Sequence, residues 1–199
     1  PSNFGDNGNG CLRLEPYPLA PEFERALSLI EQREGENTYD KSNAVNWIRN
    51  CLDIQYADTG EAEGLFYFDD TVSTTEKLVV KVNPSYKKTD DLLTPLLLRN
   101  ELNHAGSYVL FKTYGTATPC IQEEVLAFHW QYQFYRTLTQ EEQQSIATRL
   151  MYSKATNKEA NAQIQILDDL SIYHNQAIKA CISKIGEDQW QCYTSNFTS

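Results

Sequence analysis

The run Leu96-Leu97-Leu98-Arg99-Asn100-Glu101-Leu102-Asn103-His104-Ala105 places an amide, a carboxylate and an imidazole at helical spacing. A helix turns about 100° per residue, so Asn100 and His104 share a face one turn apart, with Glu101 beside them. Two ligand-bearing side chains on one face, flanked by an acid, can present a metal ion together with a general base. Such a base takes a proton from a metal-bound water whose pKa the metal has lowered toward neutrality. Further along, Gln122-Glu123-Glu124-Val125-Leu126-Ala127-Phe128 supplies two adjacent acids, with Glu124 placed 20 residues after His104.

The segment resembles the HExxH helix of the zincins, with Asn100 where the first histidine would stand. It is closest in pattern to the gluzincin branch, whose third ligand is an acid on the following helix at about the His104–Glu124 distance. The Glu-x-x-Ala-Phe wording that begins at Glu124 is similar to that branch's second helix. The resemblance covers roughly residues 64–135 and leans toward small bacterial gluzincin-like domains. It implies a metal set of Asn100, His104 and Glu124, a zinc cofactor, and Glu101 as base. It also implies that the strand Lys77–Val82 is the edge strand lining a substrate cleft. His174, or its neighbour Tyr173, takes the place of the later residue that steadies the oxyanion in many gluzincins. Glu123 is the alternative to Glu124. Adjacent helical acids point about 100° apart, and the spacing favours Glu124.

Asn100 changes the expected chemistry. A neutral imidazole nitrogen is a good zinc ligand, whereas an amide oxygen is a weak, harder donor better suited to calcium, magnesium or manganese. The site is then empty, holds zinc weakly through His104, Glu124 and water, or has drifted to another metal. The empty or weak site ranks first. Glu101 without an activated water has little to work on.

Other residues read as structure. His129 lies five residues after Glu124, about 140° away around the same helix, and reads as a packed or surface histidine. Phe128, Tyr132 and Tyr135 are spaced as a core-facing stripe, and Asp168-Asp169 as a solvated patch.

The elements that must position these residues are legible in outline. Pro21 suits a first helical turn, Phe23, Leu27 and Ile30 recur at helical spacing, and Gly35 stops the run. A second helix is expected over 42–56, with Val45, Ile48 and Leu52 on one face. The period then changes. Gly64–Phe68 and Lys77–Val82 are short and rich in β-branched or aromatic residues and read as two strands. Helices follow over 90–114, ending at Gly115, and over 121–138, 140–152 and 159–185. The fold class is α+β: a small sheet packed on a mostly helical zincin-like domain spanning 21–199, preceded by an irregular arm over 1–20.

Composition narrows the partners. The chain has 199 residues, with 41% apolar and 22% charged, which is globular rather than disordered. Its net charge of −10 repels nucleic acid and anionic membrane surfaces. No apolar run approaches the ~20 residues a membrane span needs. Pro1 to Gly10 has neither the basic start nor the apolar stretch of a signal peptide. Cys11, Cys51, Cys120, Cys181 and Cys192 contain no CxxC pair, which excludes zinc-ribbon and thioredoxin readings. One or two disulfides in an exported protein are expected, with Cys181–Cys192 and Cys51–Cys120 as the pairs and one thiol left over; five buried reduced thiols are the alternative. The Gly/Asn-rich arm and the 12 tyrosines suit self-assembly or a protein or peptide partner. The reading favoured is a degenerate gluzincin-like domain working as a secreted binding or structural protein. The alternatives are a working metallopeptidase with an altered site and a helical domain with a chance motif.

Overall fold

The computed structural model describes residues 11–35, 48–60, 64–67, 76–88, 92–115 and 120–153. Among them are four α-helices and a three-stranded mixed sheet, so the class is α+β. The helices are α1 (Pro21–Gly35), α2 (Leu93–Tyr114), α3 (Cys120–Arg136) and α4 (Gln140–Ser153). The strands are β1 (Leu52–Tyr56), β2 (Gly64–Phe66) and β3 (Leu78–Val82), in the order β1-β3-β2. β1 runs parallel to β3, and β2 antiparallel to it.

The helix expected over 42–56 is corrected over 49–56, while Ile48 is helical. Residues 41–47 lie outside the described set, Arg49–Cys51 form a single 3-10 turn, and Leu52–Tyr56 are a strand. Leu52-Asp53-Ile54-Gln55-Tyr56 alternates apolar and polar side chains, the period of a sheet with one buried face. In register, Leu52 pairs with Leu78, and Ile54 and Phe66 with Val80. These five side chains therefore share one face, and each is no more than 5% exposed. Burying a side chain of this kind contributes about 1.5–3 kcal/mol, which outweighs the helical spacing of Val45, Ile48 and Leu52.

The role expected for Lys77–Val82 is corrected as well. Strand β3 is the centre of the sheet, and the strand lying along α2 is β2. Apolar except for Lys81, β3 is paired on both edges and covered on both faces: Leu78, Val79, Val80 and Val82 are buried.

Helix α2 is the spine. Leu96, Leu98, Leu102, Ala105, Tyr108 and Val109 are buried, and Phe66 meets Tyr108 edge-on with centroids 5.6 Å apart. Pro95 is accommodated in the first turn, where its missing N–H has no intrahelical partner to lose. The helix ends at Gly115, in the left-handed region (φ 67°), whose N–H returns to the Phe111 carbonyl at 2.8 Å. A capping box starts α4. The Glu142 N–H donates to Thr139 Oγ1 at 3.2 Å, and the Thr139 N–H donates to Glu142 Oε2 at 2.7 Å. Glu142 also accepts from Arg33 at 2.9 Å, tying α4 to α1.

The arm over 11–20 is irregular, yet it is fastened to the domain. Cys11 is bonded to Cys51, with Cα atoms 5.7 Å apart. Asn50 Nδ2 donates to the carbonyls of Arg13 and Leu14, each at 3.0 Å. The Cys51–Cys120 pairing is thereby corrected: the 3-10 turn before β1 presents Cys51 to the arm, while Cys120 opens α3. Cys181, Cys192 and the helix expected over 159–185 lie outside the described residues. No helix among the described residues is long and apolar enough to cross a membrane.

Candidate functional site between helices α2 and α3

Four polar residues on α2, Arg99, Asn100, Glu101 and His104, are each no more than 8% exposed. Polar groups buried to that degree need partners: Arg99 pairs with α1, while Asn100 and His104 both turn to α3. Arg99 forms an ion pair with Glu34 of α1, and its guanidinium carbon sits 5.0 Å above the Trp130 ring of α3. Asn100 Nδ2 donates to Gln131 Oε1 at 3.5 Å. Gln131 lies seven residues after Glu124, two turns along the same face of α3.

Glu101 points toward the sheet. A Cβ placed on Gly64 of β2 would lie 2.9 Å from Glu101 Oε1 and 3.0 Å from Leu97 Cδ1, so any larger residue there displaces one of these side chains. The Glu101 charge, acting after the larger effect of burial, raises the pKa of Tyr86 on the 3-10 turn following β3.

His104 is flanked by both acids of α3. Its Nδ1 lies 3.1 Å from Glu123 Oε1, and its Nε2 lies 3.9 Å from Glu124 Oε2. Glu123 Oε1 also accepts from Asn103 Nδ2 at 2.9 Å. The two acids need not be alternatives, because the imidazole offers a nitrogen on each of two edges. His104 thus meets Glu123 through Nδ1, and a proton carried there donates to Oε1. Burial works against the charged imidazole. The carboxylates of Glu124, Glu123 and Glu101 override it and hold the pKa at about 9.

The structure therefore brings His104 and Glu124 together and adds Glu123 at the other ring nitrogen. It places Glu101 on the sheet side and Asn100 toward Gln131. His174 and Tyr173 lie outside the described residues. His129 packs edge-on against Trp130, with centroids 5.7 Å apart. Of the aromatic stripe, Tyr135 is buried in the core and Tyr132 packs against it.

The donor set falls short of a catalytic zinc. Such a site uses three good protein ligands and an open position. Here there is one imidazole nitrogen and one carboxylate, and the third position is an amide whose nitrogen is engaged by Gln131. Among the described residues, no three His, Cys, Asp or Glu side chains are arranged to hold a metal ion. Glu123, weighed from the sequence only as an alternative to Glu124, meets His104 alongside it, and the partners Asn103 and Gln131 are not among the sequence candidates. The two-turn interval from Glu124 to Gln131 is a signal that helical periodicity offers. The closeness of Gly64 to Glu101 has no sequence signal.

Comparison with protein-family models, curated proteins and solved structures finds no match for this chain.

Proposed function

We propose that this chain is a gluzincin-like domain with a degenerate metal site, catalytically impaired or inactive, serving as an extracellular binding or structural protein. The observation that carries the reading is the pairing of His104 with Glu124 across two helices while the third ligand position is Asn100, hydrogen-bonded to Gln131. The Cys11–Cys51 bridge is in keeping with an oxidising compartment. The net charge of −10 argues for a protein or peptide partner over nucleic acid.

Zinc analysis after dialysis, with cleavage of an unfolded protein substrate measured with and without chelator, tests this. The parent is expected to retain little zinc and to leave the substrate intact. Asn100→His is expected to restore tight binding, since it returns the third strong donor. Stoichiometric zinc in the parent, with chelator-sensitive cleavage, would overturn the reading.

One observation favours the second reading, a working site with an altered metal. Ligands of one tetrahedral zinc sit about 3.3 Å apart. The 3.9 Å between His104 Nε2 and Glu124 Oε2 is near that spacing. A histidine whose other nitrogen is held by a carboxylate is also how metal-binding imidazoles are oriented.

A further inference from the structure

We infer that Glu123 is the positioning residue of this site: its carboxylate, shared between Asn103 and His104, brackets α2 to α3 and turns Nε2 of His104 toward Glu124 without needing a metal ion. The inference rests on the degenerate-site reading and extends it to two residues that the motif does not use.

Glu123 is fully buried. Burying an ionised carboxylate costs several kcal/mol unless donors surround it. The donors here come from consecutive residues of the opposite helix, Asn103 Nδ2 at 2.9 Å and His104 Nδ1 at 3.1 Å, both on Oε1. Glu123 Oε2 has no hydrogen-bond partner among the described residues, so these two donors are the specific compensation in view. Asn103 occupies a position that a metal-binding helix leaves unconstrained, and its amide reaches across the helix interface instead of toward solvent. Because Glu123 engages Nδ1, Nε2 is the nitrogen that faces Glu124. Two adjacent acids thus divide the labour: Glu123 sets the ring, and Glu124 meets its far edge.

Long-range proton–nitrogen NMR of the His104 ring above pH 9, where the ring is neutral and only one nitrogen carries a proton, combined with thermal melting in EDTA and zinc analysis after dialysis, tests the bracket on the full chain. Expected for the parent is a protonated Nδ1 and a Tm that EDTA does not move. Glu123→Gln is expected to lower Tm by roughly 10 °C and to change the ring-nitrogen pattern. The milder Asn103→Ala is expected to lower Tm by about 2–4 °C while leaving Nδ1 protonated. An unprotonated Nδ1 in the parent overturns the inference even if Glu123→Gln does not fold. Glu123→Gln melting with the parent and keeping its ring pattern overturns the bracket and leaves the degenerate-site reading standing. An EDTA treatment that lowers the parent Tm and releases Nδ1 from Glu123 overturns the metal independence, and stoichiometric zinc retained through dialysis overturns the degenerate-site reading with it.

Discussion

Gly64 on the edge strand lies so close to Glu101 on the spine helix that a single added methyl group would sit 2.9 Å from the carboxylate oxygen. The acid that resembles a catalytic base is thus seated by a backbone position on another element. Gly64→Ala forces either Glu101 or Leu97 to shift, and overpacking of this kind costs about 1–3 kcal/mol. Adding Glu101→Ala removes one of the two clashing groups. Denaturant unfolding of both single variants and the double variant should show the double losing less than the sum, with a coupling of about 0.5 kcal/mol or more. Strict additivity would contradict the contact.

His104 predicts a pH dependence. Its folded pKa, about 9, lies above the value of 6.5 expected for the unfolded chain. The folded state therefore binds this proton more tightly. The resulting stability, on the order of a few kcal/mol, is complete below pH 6.5 and is lost as pH rises toward 9. In chelator-treated protein, the unfolding free energy should fall across that interval. His104→Gln should flatten the profile. An equally steep fall in the variant would assign the effect to other groups.

The bridge between Cys11 and Cys51 closes a loop of sequence separation 40. By the chain-entropy relation, such a loop stabilises by about 4 kcal/mol. Cys11→Ser and Cys51→Ser should each lower stability by a similar amount, measured by guanidinium unfolding without reductant. Reductant should bring the parent to the same level. Peptide mapping that joined Cys51 to Cys120 would overturn the pairing.

Arg99 and Glu34 form a buried ion pair between α2 and α1. Burial raises the Glu34 pKa against the pull of Arg99, and burial likewise lowers that of Arg99 against the pull of Glu34. Removing one partner leaves an uncompensated buried charge, so Arg99→Met should cost about 3–5 kcal/mol. The double change Arg99→Met with Glu34→Leu should recover much of that loss. A double variant no more stable than Arg99→Met would show that the pair is not isolated from its surroundings.

Local rules read from the sequence account for much of the frame. Pro21 and Gly35 bound α1, and Gly115 ends α2, because these signals act through backbone geometry within a few residues. The strand at 78–82 is legible from its β-branched run, and Tyr135 from its helical spacing. The interval from His104 to Glu124 leads to side chains that meet across two helices, since helical periodicity and a short connection fix which faces are offered.

Tertiary structure decided the rest. Leu52–Tyr56 carries a helical spacing with Ile48 and a strand alternation of its own; pairing with β3 selected the second, and no local rule ranks the two. Which acid touches which imidazole nitrogen depends on the angle between α2 and α3. The edge strand, the seat of Glu101 on Gly64 and the partner of Cys51 depend on residues far apart in the chain. Sequence alone determined which groups lie on each helical face. Only packing decided which group each one meets, because a contact between elements is set by the relative placement of both.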